Sequence, residues 1–131
     1  MTIKNTDKTL QPPWGWLMTL DLSNCNNNIL VDREKIMDFF PLLCKQIGMT
    51  PVGLPLVGAF GDAHLHGISG MQFIETSSII IHCDDKIGNR AFIDIFSCKL
   101  FDFDIAANFC ETYFEGKISR KNVLERGSKN D

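Results

Sequence analysis

The sequence holds no apolar run approaching the roughly 20 residues needed to cross a membrane. Its first segment, MTIKNTDKTLQPP, is polar and lacks the apolar centre of a signal sequence. No C-x-x-C pair occurs, and the cysteines are odd in number: Cys25, Cys44, Cys83, Cys98 and Cys110. A cytoplasmic protein with free thiols is therefore expected, most of the thiols buried as small hydrophobes. Basic charge is also missing. Lys and Arg number 13 against 16 Asp and Glu, a net charge of −3. That balance gives a nucleic-acid partner no electrostatic support. There is no internal repeat and no low-complexity stretch.

What is present is ordinary for a globular chain. The 131 residues are 44% apolar and 22% charged, enough for one domain with a modest core. That domain is expected over 14–126, between a tail at 1–13 and a short one at 127–131. Residues 14–22 alternate, with Trp14, Trp16, Met18, Leu20 and Leu22 sharing one face of a strand. The two tryptophans read as core rather than as a stacking platform. SNCNNN reads as a loop. Asp32 caps a helix over REKIMDFFPLLCKQI, which Pro41 is expected to kink or split and Gly48 to stop.

Residues 51–60 read as an irregular strand and GDAHLHG as a loop. Strands are expected near 68–75 and 77–83, then a turn at DDKIGN and a strand over RAFIDIFSC. In that last strand Phe92, Asp94 and Phe96 face one way, and Ile93, Ile95 and Ser97 the other. A second helix fits 104–115, burying Ile105, Ala106, Phe109, Cys110, Tyr113 and Phe114. A weaker strand near 119–126 closes the series. The order strand, helix, strands, helix, strand predicts an α+β two-layer sandwich: an antiparallel sheet with two main helices on one face.

The stretch FIETSSIIIH sets a polar knot, Glu75-Thr76-Ser77-Ser78, inside the most apolar run of the chain. A serine held in a tight bend can attack the carbonyl carbon of the residue before it, turning the peptide into an ester. The reaction needs a strained or polarised peptide, a donor for the oxyanion and a base, for which His82 is a candidate. The plainer reading is a turn followed by a satisfied strand-end histidine. A metal site is not expected, because neither His64/His66 nor His82-Cys83 has a zinc spacing. Cys98 ends a strand beside the cation of Lys99, which favours its thiolate; alternatively it is a core thiol. Asp84 and Asp85 read first as turn residues.

Together these residues resemble the prokaryotic-type S-adenosylmethionine decarboxylase proenzymes. That family carries a Ser-Gly step eight residues before a second serine, a histidine five residues further on, and a cysteine ending a Phe-Ser/Thr-Cys strand. Here the series is Ser69-Gly70, Ser77, His82 and FSC ending at Cys98, with one extra residue between His82 and Cys98. The element order fits over roughly 14–126. The resemblance implies self-cleavage between Thr76 and Ser77. Ser69 and His82 would act in processing, and the products would be chains 1–76 and 77–131. Ser77 would become a pyruvoyl group, the cofactor, whose carbonyl forms a Schiff base with the amine of a small amino-acid-type substrate. Cys98 would be the proton donor after decarboxylation. The product would serve spermidine synthesis, and the enzyme would be a homodimer of processed protomers, with no membrane or nucleic-acid partner.

The chain also departs from that pattern. Thr76 stands where the family has glutamate, with Glu75 one step earlier. A one-residue shift would make Ser78 the nucleophile, although Ser77 keeps the better spacing to Ser69 and His82. HCDDK replaces the family's HTWPE, and Ala63 replaces a phenylalanine, so two aromatic contacts for the nucleoside are missing. Trp14 or Trp16 could supply them. Glu75, Asp84 and Asp85 are the candidate substrate-binding residues. The lost aromatics and gained carboxylates motivate one alternative, a pyruvoyl-dependent decarboxylase of ornithine, arginine or lysine. Thr76 motivates another, a non-cleaving homologue that acts as a binding partner.

Overall fold

The computed structural model describes residues 11–128, so most of both expected tails lies outside the described residues. Among the described residues, six strands form a single sheet in the order β2-β3-β4-β5-β1-β6, every neighbouring pair antiparallel. They are β1 (Gly15–Ser23), β2 (Pro51–Phe60), β3 (Gly67–Ile74), β4 (Ser77–Asp84), β5 (Arg90–Ser97) and β6 (Lys117–Arg126). Three helices accompany them: α1 (Asn27–Leu30), α2 (Arg33–Ile47) and α3 (Phe103–Phe114). A short 3-10 turn, Ala63–Leu65, interrupts the loop before β3. This is the expected α+β sandwich. Among the described residues no helix is long and apolar enough to cross a membrane.

The alternation of β1 sends Met18, Leu20 and Leu22 into the core, where Ile79 and Ile81 of β4 and Ile93 and Ile95 of β5 join them. Against this layer α2 lays Ile36, Phe39, Phe40 and Leu43, and α3 lays Ala106, Cys110 and Phe114. Phe39 is fully buried and meets the rings of Phe40, Phe109, Tyr113 and Phe114 at centroid distances of 5.0 to 6.1 Å. Offset and edge contacts of this kind add to area burial. Both helices start where an aspartate caps them. Asp32 accepts the Lys35 N–H at 3.2 Å and Asp102 accepts the Ile105 N–H at 3.0 Å. Gly48 ends α2 at φ 70°, as expected.

Four expectations are corrected. Pro41 does not split α2, which runs unbroken from Arg33 to Ile47. The proline lies on the exposed side, where water can satisfy the carbonyl it leaves without a partner, while flanking core residues hold the rod. Trp14 is not core: it is 60% exposed and rests on Phe96 at 5.8 Å, and Trp16 is only half-buried. Ile105 is exposed, Phe109 and Tyr113 are only partly buried, and Ala107 is buried. The buried stripe of α3 is thus Ala106, Ala107, Cys110 and Phe114. Finally, the loop SNCNNN leads into α1, capped by Asn26, whose side chain accepts the Asn28 N–H at 2.9 Å.

Among the described residues, no α-helix covers the second face of the sheet. Its residues fall in rows set by register: Phe73, Ser78, Phe96 and Leu17; then Met71, Ile80, Asp94 and Thr19; then Ser69, His82, Phe92 and Asp21. Replacing Phe39 by Ala would empty the aromatic cluster on the covered face. The variant is expected to lose about 3–5 kcal/mol of unfolding free energy in urea titration.

Candidate active site

The β3–β4 hairpin turns through Glu75 and Thr76, and Ile74 pairs with Ser77 across it. Ser77 adopts φ 148°, a backbone region that belongs to glycine and costs a residue with a Cβ roughly 1–3 kcal/mol. The neighbouring strand over-determines the conformation. The Cys98 N–H donates to the Thr76 carbonyl at 2.8 Å, so the carbonyl preceding Ser77 carries a fixed donor. The Glu75 N–H donates to the Thr50 carbonyl at 2.9 Å, tying the turn to the segment after α2.

Beneath the turn lies a hydroxyl cluster. Ser97, fully buried at the end of β5, hydrogen-bonds through Oγ to Thr76 Oγ1 at 2.8 Å and to the Lys99 carbonyl at 2.7 Å. It accepts the Lys99 N–H at 2.9 Å. Thr76 Oγ1 also approaches Met49 Sδ at 3.3 Å. Lys99 Nζ donates to the Gly48 carbonyl at 3.0 Å. Cys98 itself is exposed, on the turn that this cluster holds. The Ser77 hydroxyl takes no partner among the described residues.

Ser69 and His82 meet elsewhere. They are register partners on β3 and β4, and Ser69 Oγ lies 2.7 Å from His82 Nδ1. Gly70, next to Ser69, faces the core; a Cβ there would sit 3.0 Å from the Phe40 ring. His82 stands five residues beyond Ser77 on β4, roughly 16 Å along the strand at its usual rise. Thr76, Ser77 and Cys98 are therefore brought together at one end of the sheet, and Ser69 with His82 at the other. The histidine does not reach the serine of its own chain.

His82 lies between two concavities on the open face. One, about 360 Å³, is lined by Leu56, Gly58, Phe60, Met71 and Ile80; the other, about 210 Å³, by His64, Ile87, Arg90 and Phe92. Phe92 is the register partner of His82 on β5, so an aromatic ring does stand beside the histidine, supplied by β5 rather than by the segment after it. Asp94 lies in the next row. Burial pushes its carboxyl above the usual range, His82 pulls it down and Asp21 adds to the rise.

The acidic candidates have other engagements. Asp84 closes the β4–β5 turn, accepting the N–H groups of Lys86, Ile87 and Gly88 and pairing with Arg90 Nε at 2.7 Å. Burial alone would raise its carboxyl. The Ile87 amide, the Arg90 guanidinium and the Gly88 amide outweigh that and hold it below the usual carboxylate range. Asp85 pairs with Lys86 at 2.8 Å. Glu75 is exposed at the hairpin turn. Ser97, Met49 and Asp94 were not singled out by sequence reasoning. Two carried a signal: Asp94 by its two-residue spacing from Phe92 on the open face of β5, and Ser97 as the middle residue of FSC.

Known proteins share this fold. The crystal structure of the adenosylmethionine decarboxylase from Aquifex aeolicus matches the fold with a TM-score of 0.74 at 22% identity, over 89% of this chain and 93% of that one. That likeness defines the class by architecture, an α+β sandwich. The S-adenosylmethionine decarboxylase proenzyme of Thermodesulfovibrio yellowstonii is 29% identical over 114 residues, 86% of this chain and 81% of the relative. The model of the S-adenosylmethionine decarboxylase family matches residues 16–127, and the chain belongs to that family of carboxy-lyases.

Four of the thiols, Cys25, Cys44, Cys83 and Cys110, are buried and Cys98 is exposed. Burial pushes Cys25 and Cys44 up to about 11 and Cys83 up to about 12. Iodoacetamide at pH 8 is therefore expected to label the native chain at Cys98 alone, and all five cysteines after unfolding. Peptide mass spectrometry reads the positions.

Proposed function

We propose that this chain is a self-processing decarboxylase of S-adenosylmethionine whose pyruvoyl group forms from Ser77. The observation that carries this reading is the Thr76–Ser77 peptide, with a serine strained at φ 148° and a carbonyl held by the Cys98 amide at 2.8 Å. A strained nucleophile beside a polarised carbonyl fits the formation of that group. Once a base takes its proton, Ser77 Oγ attacks the Thr76 carbonyl carbon and the Cys98 N–H stabilises the oxyanion. The carbon–nitrogen bond breaks, the nitrogen takes up a proton, and an ester joins the two residues. Loss of the Ser77 Cα proton then expels the Thr76 carboxylate and leaves dehydroalanine at 77. Water displaces its nitrogen as ammonia, and a pyruvoyl group remains.

That group supplies an electron sink for decarboxylation. Cys98, exposed one residue past β5, is assigned the protonation of the product carbon. The product would feed spermidine synthesis in the cytoplasm. Phe92 and Phe60, on either side of His82, are the aromatic surfaces on offer to a nucleoside. A basic amino acid as substrate finds less support, because the Asp84 and Asp85 carboxylates already face Arg90 and Lys86.

The processing base is assigned to His82 of a second copy. The helix-free face exposes Leu56, Phe60 and Phe73, each more than half accessible, over a floor of Met71, Ile80 and Phe96. A two-fold axis through the middle of β4 exchanges the ends of that strand. Two copies packed on this face would thus set the Ser69–His82 pair of one over the hairpin turn that carries the Thr76–Ser77 peptide of the other.

Co-expression of a Ser77→Ala copy with a His82→Ala copy tests both parts. Each variant alone is expected to remain a single chain, while the mixture yields fragments 1–76 and 77–131 from the His82→Ala copy. Intact mass, with a pyruvoyl-blocked terminus at 77, reads the outcome. A mixture that stays uncut while the unaltered protein cuts rules out the shared site. An unaltered protein that stays whole after long incubation favours the non-cleaving binding partner instead.

A further inference from the structure

We infer that Ser97 is a positioning residue for self-cleavage, and that its hydroxyl acts by clamping Thr76 to the turn that carries Cys98. The inference rests on the self-processing reading above and concerns how the Thr76 carbonyl is kept aligned. Ser97 is fully buried, and its Oγ lies 2.8 Å from Thr76 Oγ1, 2.7 Å from the Lys99 carbonyl and 2.9 Å from the Lys99 amide. A hydroxyl bonded to both backbone groups of the residue after next fixes the intervening peptide. The peptide so fixed bears the Cys98 N–H that donates to the Thr76 carbonyl at 2.8 Å. The same oxygen grips the side chain of the residue that owns that carbonyl. Ser97 therefore holds donor and acceptor from behind, on the core side of the sheet.

The Thr76 hydroxyl completes this clamp. Thr76 Oγ1 also approaches Met49 Sδ at 3.3 Å, and Ser97 Oγ approaches the same sulfur at 3.8 Å. The side chains of Ser97, Thr76 and Met49 carry no titratable group. They can align the peptide but supply no proton acceptor, and the base remains a separate residue. Small displacements at a reacting centre lower rates steeply, so loss of either hydroxyl should slow the first cleavage step.

The test is a double-mutant cycle on the first-order rate of self-cleavage, followed by gel and intact mass on freshly folded protein. Ser97→Ala and Thr76→Val are each expected to slow cleavage about 10- to 100-fold. The double variant should be no slower than the slower single one, because both remove the same contact. Thr76→Ser, which keeps the hydroxyl, should cleave within about threefold of the unaltered chain. Unaltered cleavage in Ser97→Ala, additive losses in the double variant, or a Thr76→Ser variant as slow as Thr76→Val would each overturn the clamp while leaving self-processing intact. If Ser97→Ala does not fold, the contrast between Thr76→Val and Thr76→Ser decides alone. An unaltered chain that never cuts overturns the clamp and the self-processing reading together.

Discussion

The hydrogen bond from the Cys98 amide to the Thr76 carbonyl is the contact on which the proposed chemistry depends. It joins the end of the β3–β4 hairpin to the exit of β5, two segments about 20 residues apart in the chain. The bond exists because β4 and β5 pair in the register Ser77 with Ser97. A slip by one residue would turn His82 and Asp94 into the core and carry the amide away from the carbonyl. The apolar alternation of both strands, with Ile79, Ile81, Ile93 and Ile95 all buried, prevents that slip. Core packing thus sets the geometry at the hairpin. It also sustains the strain at Ser77, which an isolated turn would relax.

The sheet divides the proposed work between its two ends. At one end lie the strained serine, the polarised carbonyl and the exposed thiol. At the other lies the Ser69–His82 pair, joined across β3 and β4 at 2.7 Å. No side-chain rearrangement within one chain spans roughly 16 Å of strand. The helix-free face resolves this separation if two copies meet there, because antiparallel ends are exchanged by a two-fold axis. Apolar exposure at Leu56, Phe60 and Phe73 is then the surface of an interface rather than an anomaly.

Much of this was legible in the sequence, for identifiable reasons. Period-two and period-3.6 patterns revealed the central strands and both main helices, since each of those elements buries a single face. Asp32 and Gly48 marked the ends of α2 because capping is local chemistry. Pro41 misled because its effect depends on which side of the helix faces water, and the tryptophans misled because alternation cannot show where a covering layer stops. The spacing of Ser69, Ser77, His82 and Cys98 singled out the candidate site residues but not their division into two groups. Linear spacing does not say that a straight strand holds two of them apart. The Ser97–Thr76 contact joins side chains from different strands, and only the register brings it into view.

The central claim is that the Thr76–Ser77 peptide of the folded chain converts to an ester. Hydroxylamine tests it directly, because it cleaves esters far faster than peptides. Added to freshly folded protein at neutral pH, it is predicted to release a fragment ending at Thr76 as a hydroxamate and a fragment beginning with unmodified Ser77. Mass spectrometry would identify both. A chain that stays whole in hydroxylamine, with no hydroxamate at Thr76, would contradict the account.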